Sequence, residues 1–139
     1  MKPTAAELEI LSVLWEQGPI TVKEVHEVIN KQKPTIYTTV LKHLQIMQEK
    51  GLVARDEHSK AHIYRALAAK KETQKNLVSD LLERVFRGSA AQLVQHVLES
   101  KSASPEELKE IRKMIRQAEK AEKAEKAEKA EKERSAGEK

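Results

Sequence analysis

The sequence of 139 residues contains no cysteine, only four aromatic residues and no long apolar run. Without cysteine, the chain can form neither disulfide bonds nor thiolate metal sites. No segment approaches the roughly 18 consecutive apolar residues that a membrane-spanning helix needs, and the first residues show no signal-peptide pattern. We therefore expect a cytoplasmic protein with no membrane partner. Charged residues make up 35% of the chain, which predicts small cores and a large hydrated surface.

Positive charge is concentrated in one part of the chain, although the net charge is only +4. Residues 28–48 contain no acidic side chain, and between residues 31 and 65 basic residues outnumber acidic ones. A locally basic segment in a nearly balanced chain is typical of a surface that faces phosphate groups. The charge pattern therefore favours a nucleic-acid partner.

Capping motifs mark the predicted starts of several helices. Four boxes, in which Ser or Thr precedes Glu or Gln by three residues, begin at Thr4, Thr21, Ser89 and Ser104. In such a box each side chain satisfies the backbone N–H of the other residue. Apolar residues three and four apart follow each box, which predicts amphipathic helices. Between the first two helices, Ile20 is a candidate for a very short strand.

A further helix is predicted over residues 35–50, with Thr35 as its cap and Gly51 ending it in the left-handed conformation. Its apolar residues recur at spacings of three and four and should form one stripe facing the core. The stripe consists of Ile36, Val40, Leu44 and Met47.

The apolar pattern then changes, and residues 52–55 and 62–65 predict two short strands joined by a polar turn. Three helices followed by a hairpin, with the short link 32–34 between helices two and three, indicate a winged helix-turn-helix. We predict a mainly α fold with a small β-hairpin wing and a C-terminal helical dimerisation region. The expected domains are a DNA-binding domain at 1–67, the dimerisation region at 68–117 and a low-complexity tail at 118–139.

The outward side of the helix over residues 35–50 is predicted to carry hydroxyls, an amide and a lysine but no acid. Such groups can bind phosphates and base edges in the DNA major groove, and threonine or isoleucine methyls can contact thymine. The alternative is a surface helix that lacks acids by chance. The candidate DNA-binding residues in this part of the chain are Lys33, Thr35, Thr38, Thr39, Lys42, Gln45 and Ile46.

The hairpin adds Arg55, Lys60 and His62 as candidate DNA-binding residues. Phosphate contacts by a wing give affinity rather than sequence choice. For Lys60, a loop lysine kept for solubility is an equal alternative. Asp56 and Glu57 weaken the phosphate interpretation nearby.

The five histidines are spread over different predicted elements, so we interpret them as core or surface residues rather than metal ligands. No histidine lies beside a serine or carboxylate signature that would pair a nucleophile with a base. The sequence therefore predicts no enzyme, no metal site and no cofactor.

Apolar stripes recur after residue 68, in a segment too short to enclose them by itself. We expect a second copy of the chain to bury these stripes. The dimer would present two copies of the helix over residues 35–50, the predicted recognition helix, to successive DNA half-sites. The alternative is an intrachain helical bundle. The predicted dimerisation residues are Leu81, Leu82, Val85, Phe86, Leu93, Val94, Val97, Leu98, Leu108, Ile111, Met114 and Ile115.

The tail repeats Ala-Glu-Lys from residue 118 to 132. All three residues favour helix, and the first four Glu of the repeat each precede a Lys by four residues, the favourable orientation for an ion pair. Because the period is three, the tail has no apolar stripe. It is predicted to be a solvated helix that continues the preceding one and frays toward its end.

Several segments together resemble the penicillinase-repressor family (the BlaI/MecI/CopY group). They are Glu-Leu-Glu-Ile-Leu at 7–11, Leu-Trp at 14–15, Gly-Pro-Ile-Thr-Val-Lys-Glu-Val at 18–25, Tyr-Thr-Thr-Val at 37–40, Glu-Lys-Gly-Leu-Val at 49–53 and Ala-His-Ile-Tyr at 61–64. Residues 93–94 and 104–115 resemble the C-terminal dimerisation helices of this family. The resemblance extends over residues 4–115. It implies a homodimeric transcriptional repressor that binds an inverted-repeat DNA operator, and it adds Tyr37 to the DNA-facing stretch with Thr38, Thr39 and Lys42.

The sequence departs from this family at informative positions. Ile46 stands where many members have arginine, so operator contacts are expected to differ. In the best-known branch a membrane-bound sensor protease triggers cleavage at an Asn–Phe pair. His96 and Val97 stand at the corresponding positions in this sequence. This mismatch disfavours such a protease as a regulatory partner.

An alternative function is a protein–protein interaction adaptor that does not bind DNA sequence-specifically.

Overall fold

The computed structural model describes residues 2–58 and 60–137. The chain forms two units, Met1–Leu81 and Leu82–Lys139. The elements are α1 (Ala5–Gln17), β1 (Ile20–Thr21), α2 (Val22–Gln32), α3 (Tyr37–Glu49), β2 (Val53–Asp56), β3 (Ile63–Ala66), α4 (Lys70–Arg84), α5 (Ala90–Glu99) and α6 (Pro105–Gly137). This order confirms the predicted mainly α fold with a winged helix-turn-helix at its N-terminal end.

The first two helices begin at the predicted capping boxes. The Thr4 hydroxyl accepts the Glu7 N–H at 3.2 Å, and the Glu7 carboxylate accepts the Thr4 N–H at 2.8 Å. Thr21 and Glu24 make the same reciprocal pair, at 3.1 Å in both directions. Because these bonds satisfy N–H groups that a helix leaves unpaired at its start, they fix where α1 and α2 begin.

The start of α3 differs from the prediction. The helix begins at Tyr37, its cap position is Ile36, and no side chain caps it. Thr35 as the cap is therefore wrong, since its hydroxyl donates to the Lys33 carbonyl at 2.8 Å. Ile36 is also wrong as a core residue, because it lies in extended backbone before the helix and is 68% exposed. The helical residues of the stripe, Val40, Leu44 and Met47, are buried as predicted.

The predicted hairpin is confirmed and belongs to a three-stranded antiparallel sheet in the order β1-β3-β2. Ile20 pairs with Tyr64, which confirms the predicted short strand. Each hairpin strand begins one residue later than predicted. At the first strand, the Leu52 N–H donates to the Met47 carbonyl at 2.9 Å and so belongs to the end of α3. Gly51 has the predicted positive φ, at 79°.

The core of the first unit lies between α1, α2, α3 and the sheet. It consists of Ile10, Leu11, Val13, Leu14, Ile20, Val22, Val25, Ile29, Val40, Leu44, Met47, Leu52, Val53 and Tyr64. At its border, the Trp15 indole N–H donates to the Ala68 carbonyl at 2.8 Å. These contacts hold α3 with its stripe inward and its other side toward solvent.

The second unit has a different character. Neither α5 nor α6 contains a buried residue. α6 continues through the Ala-Glu-Lys repeat to Gly137, and Glu122 and Lys126 form an ion pair there at 3.3 Å. Among residues 2–58 and 60–137, no helix has both the length and the apolar character needed to cross a lipid bilayer.

Candidate nucleic-acid interface

The outward side of α3 is a polar surface open to solvent. Thr38, Lys42 and Gln45 are exposed, Thr39 is half-buried, and Ile46 is 37% exposed. Within the described residues, the side chains of Thr38, Lys42 and Gln45 have no hydrogen-bond or ion-pair partner. Their donors and acceptors are thus available to a ligand.

The acid-free surface is shorter than predicted. α3 ends at Glu49, which is exposed. Glu49 follows Lys42 by seven residues, and at about 100° per residue this places both side chains on the same side of the helix. The prediction of an acid-free side is therefore correct for residues 37–48 and wrong for the last residue of the helix. An anionic ligand would be favoured toward the N-terminal end of α3 and disfavoured at its C-terminal end.

Side chains of α2 hold the link that precedes α3. The Thr35 carbonyl lies 2.6 Å from His26 Nε2, and the Thr35 N–H donates to Asn30 Oδ1 at 2.9 Å. The His26 ring also meets the Tyr37 ring edge-to-face, with centroids 5.9 Å apart. Neither α2 residue is among the site residues that the sequence predicts. Their spacing of four places them on one helix face, but only the fold brings Thr35 against that face.

A buried ion pair fixes the other end of α3. Lys50 Nζ donates to both carboxylate oxygens of Glu7, at 2.7 and 3.0 Å, and Glu7 is only 2% exposed. Burial raises the pKa of the Glu7 carboxyl, but the hydrogen bonds from Lys50 and Thr4 outweigh burial and hold that pKa below its ordinary value. The sequence predicts only the capping-box role of Glu7, since no residue near Glu7 in the sequence indicates a contact with Lys50.

The wing carries its predicted candidates on the surface, and Arg55, Lys60 and His62 are all exposed. Arg55 pairs with Tyr64, whereas Arg65 pairs with Ala54. Because successive residues of a strand point to opposite faces, the two arginines project from opposite faces of the hairpin. The wing therefore offers positive charge on both faces.

The candidates in the link and at the start of α3 vary in exposure. Lys33 and Tyr37 are exposed, whereas Thr35 is half-buried. The backbone groups of Thr35 are already paired within the protein. Its hydroxyl is paired as well. Thr35 therefore contributes more to the shape of the link than to a free binding surface.

The apolar residues predicted for dimerisation are all incompletely buried. Val85 is 64% exposed, Met114 59% and Ile115 50%. The other exposed members are Leu81, Val94, Val97, Leu98 and Leu108, and the half-buried members are Leu82, Phe86, Leu93 and Ile111. Val85 and Phe86 lie after α4, which ends at Arg84.

Three packed helices, an exposed polar side on the third and an antiparallel hairpin define a winged helix-turn-helix protein. The penicillinase repressor family matches residues 3–117, and the chain belongs to this family. The predicted family and its extent are thereby confirmed, and the tail lies outside the match. The family consists of transcriptional repressors rather than enzymes, and it implies DNA as a binding partner.

Curated relatives carry corresponding names. The chain is 30% identical over 99 residues to the transcriptional regulator BlaI of Mycobacterium tuberculosis (strain ATCC 25618 / H37Rv), covering 70% of this chain and 72% of the relative. It is 21% identical over 108 residues to the methicillin resistance regulatory protein MecI of Staphylococcus aureus (strain N315), covering 78% and 88%. It is 24% identical over 106 residues to the penicillinase repressor of Bacillus licheniformis, covering 76% and 83%.

Among solved structures, the chain is similar to a MarR family protein from Bacillus stearothermophilus. The TM-score is 0.46 at 25% sequence identity, and the match covers 88% of this chain and 77% of the other.

Proposed function

We propose that this protein is a dimeric transcriptional repressor that binds an inverted-repeat DNA operator through α3 and the wing. The observation that carries the proposal is the exposed, acid-free side of α3 over residues 37–48. A helix of this kind fits the major groove, where its hydroxyl, amide and ammonium groups meet base edges and phosphates. Family membership supports the same function.

The contacts of α3 are proposed to divide by chemistry. Gln45 suits an adenine edge, and the methyl groups of Thr38 and Ile46 suit thymine methyls. Lys42 suits a phosphate or guanine. Because Glu49 repels phosphate, the first three turns of α3 enter the groove and its last turn lies away from the backbone. The full proposed set of contacts for α3 and its link is Lys33, Tyr37, Thr38, Thr39, Lys42, Gln45 and Ile46, and Thr35 is proposed to act by shaping the link.

The wing is proposed to bind the adjacent backbone through Arg55, Lys60 and His62. Such contacts add affinity and orient the protein without choosing a sequence. They also make binding fall with salt, since each neutralised phosphate contributes about 0.9 to the slope of log affinity against log salt concentration.

Homodimerisation is supported by the apolar side chains of the C-terminal helices. α5 and α6 bury no residue within the chain, although their apolar side chains recur at helical spacing. Contiguous apolar surface of this kind usually marks an interaction site. A second copy would cover these helices and present two α3 helices to an operator with two-fold symmetry.

Selection of bound fragments from genomic DNA by the full chain tests the proposal. We expect enrichment of a palindromic site whose half-sites are about 10 base pairs, or a multiple of that, apart. Lys42→Ala should weaken binding to that site, whereas Lys123→Ala, the same charge change in the tail, should not. Failure to enrich any palindrome would overturn the proposal and favour the adaptor function. A sedimentation measurement that finds only monomer would overturn the dimer.

A further inference from the structure

The first turn of α3 has no local support of the kind seen in α1 and α2. Its cap residue, Ile36, has no side chain that can accept a backbone N–H, and none is bonded there. The orientation of this turn matters because Tyr37 and Thr38 begin the proposed DNA-facing surface. Some other group must therefore fix the backbone that enters the helix.

Two side chains of α2 supply that support by binding both backbone polar groups of Thr35, its N–H and its carbonyl. Asn30 Oδ1 accepts the Thr35 N–H at 2.9 Å, and His26 Nε2 lies 2.6 Å from the Thr35 carbonyl oxygen. Since a carbonyl oxygen only accepts, Nε2 must carry the proton in this contact. The Thr35 hydroxyl is bonded to Lys33, so every polar group of Thr35 is used.

The same histidine contacts the first residue of the helix. The rings of His26 and Tyr37 are 79° apart in an edge-to-face arrangement, a geometry that aromatic pairs favour. His26 and Asn30 are four residues apart and therefore neighbours on one face of α2. One face of α2 thus controls three successive features: the N–H of Thr35, its carbonyl, and the ring of Tyr37.

We infer that His26 and Asn30 are positioning residues for sequence-specific DNA binding. They set the angle at which α3 leaves α2, and hence where Thr38 and its neighbours meet the bases. Neither residue belongs to the proposed DNA-binding set. The inference rests on the proposed function and deepens it by naming residues that act through α3 rather than on DNA.

Matched substitutions at His26 separate its two contacts. His26→Gln keeps a donor that can reach the Thr35 carbonyl but loses the ring, whereas His26→Phe keeps the ring and loses the donor. Asn30→Ala removes the acceptor at an exposed position, where the substitution leaves the core intact. Each variant is measured against the palindromic duplex enriched by the wild type and against a random duplex of equal length.

We expect His26→Phe and Asn30→Ala to lose about fivefold to tenfold in affinity for the palindromic duplex, the worth of one hydrogen bond. The affinity of these variants for the random duplex should stay within about twofold of the wild type. His26→Gln, which keeps the donor, should retain most of the wild-type affinity for the palindromic duplex. Equal losses on both duplexes, or an unchanged affinity ratio with only a lower melting temperature, would overturn the positioning role.

Hydrogen exchange of the Thr35 amide, measured without DNA, provides a readout that does not depend on the operator. Asn30→Ala should speed this exchange, and unchanged exchange would show that the bond does not hold the link. If the wild type enriches no palindrome, the proposed function fails and the inference falls with it. If the wild type binds its site and the variants keep its selectivity, the inference alone fails.

Discussion

Replacing Lys50 by methionine tests how the end of α3 is anchored. Lys50 donates two hydrogen bonds to Glu7. The side chain of Glu7 is 2% exposed and that of Lys50 is 20% exposed. Removing one partner of a buried pair costs about 3–5 kcal/mol, because the remaining charge stays buried. Here water reaches the lysine and Thr4 still donates to Glu7, so we expect a loss of about 2–3 kcal/mol.

Urea unfolding followed by fluorescence measures this loss, because Trp15 is the only tryptophan and lies in the same unit. Lys42→Met is the matched control: it removes an exposed lysine from α3, the helix that Lys50 follows, and should change stability by less than about 0.5 kcal/mol. Glu7→Gln should cost less than Lys50→Met, because the ammonium it leaves behind is partly hydrated.

The pH dependence of the free energy of unfolding provides a second test of this ion pair. The folded-state pKa of Glu7 is lowered, so its contribution is present above the unfolded pKa of about 4.3 and is lost as pH falls through the folded value. In Lys50→Met, the contributions of Lys50 that lower the pKa of Glu7 are lost, so this pKa should be higher than in the wild type. The stability difference between wild type and Lys50→Met should therefore shrink below about pH 4.3. A difference below about 0.5 kcal/mol at pH 7, or one independent of pH, would refute the reasoning.

Three further predictions concern the core, the interface and the tail. Tyr64→Phe should leave stability unchanged or raise it by about 1 kcal/mol in urea unfolding, because the buried Tyr64 hydroxyl has no partner among the described residues; a loss above 1 kcal/mol would contradict this. Thr38→Ala should relax discrimination at one or two base pairs by roughly 1–3 kcal/mol each, and equal losses on operator and random duplex would argue against base contact. Deleting residues 118–139 should leave the dimer intact in sedimentation, whereas a monomeric product would assign the tail to the interface.

Elements whose causes are local were predictable from the sequence. The helix starts at Thr4 and Thr21 depend on residues three positions apart, and Gly51 ends α3 by its own backbone freedom. The change of apolar period predicts the hairpin, but each strand begins one residue later than this pattern indicates. Nothing in the residues around Leu52 shows that its N–H bonds to the end of α3.

The residue types of the candidate interface were predictable from the sequence, but the contacts that hold α3 and its link in place were not. Thr35 resembled a cap, yet its groups are taken by residues two, five and nine positions earlier. Lys50 meets Glu7 across 43 positions of sequence. Such pairings arise from packing of whole helices, and periodicity within one helix carries no trace of them.

The repeat that ends α6 has an electrical consequence. Three residues advance a helix by about 300°, so successive lysines step around the axis by about 60° and the glutamates follow the same spiral. Positive and negative groups are therefore distributed over every direction, and no side of this helix is polarised. This part of α6 therefore has no face that preferentially attracts an anion, a cation or another helix. It adds length and hydrated surface to the chain and does not compete for the polyanion that α3 is proposed to bind.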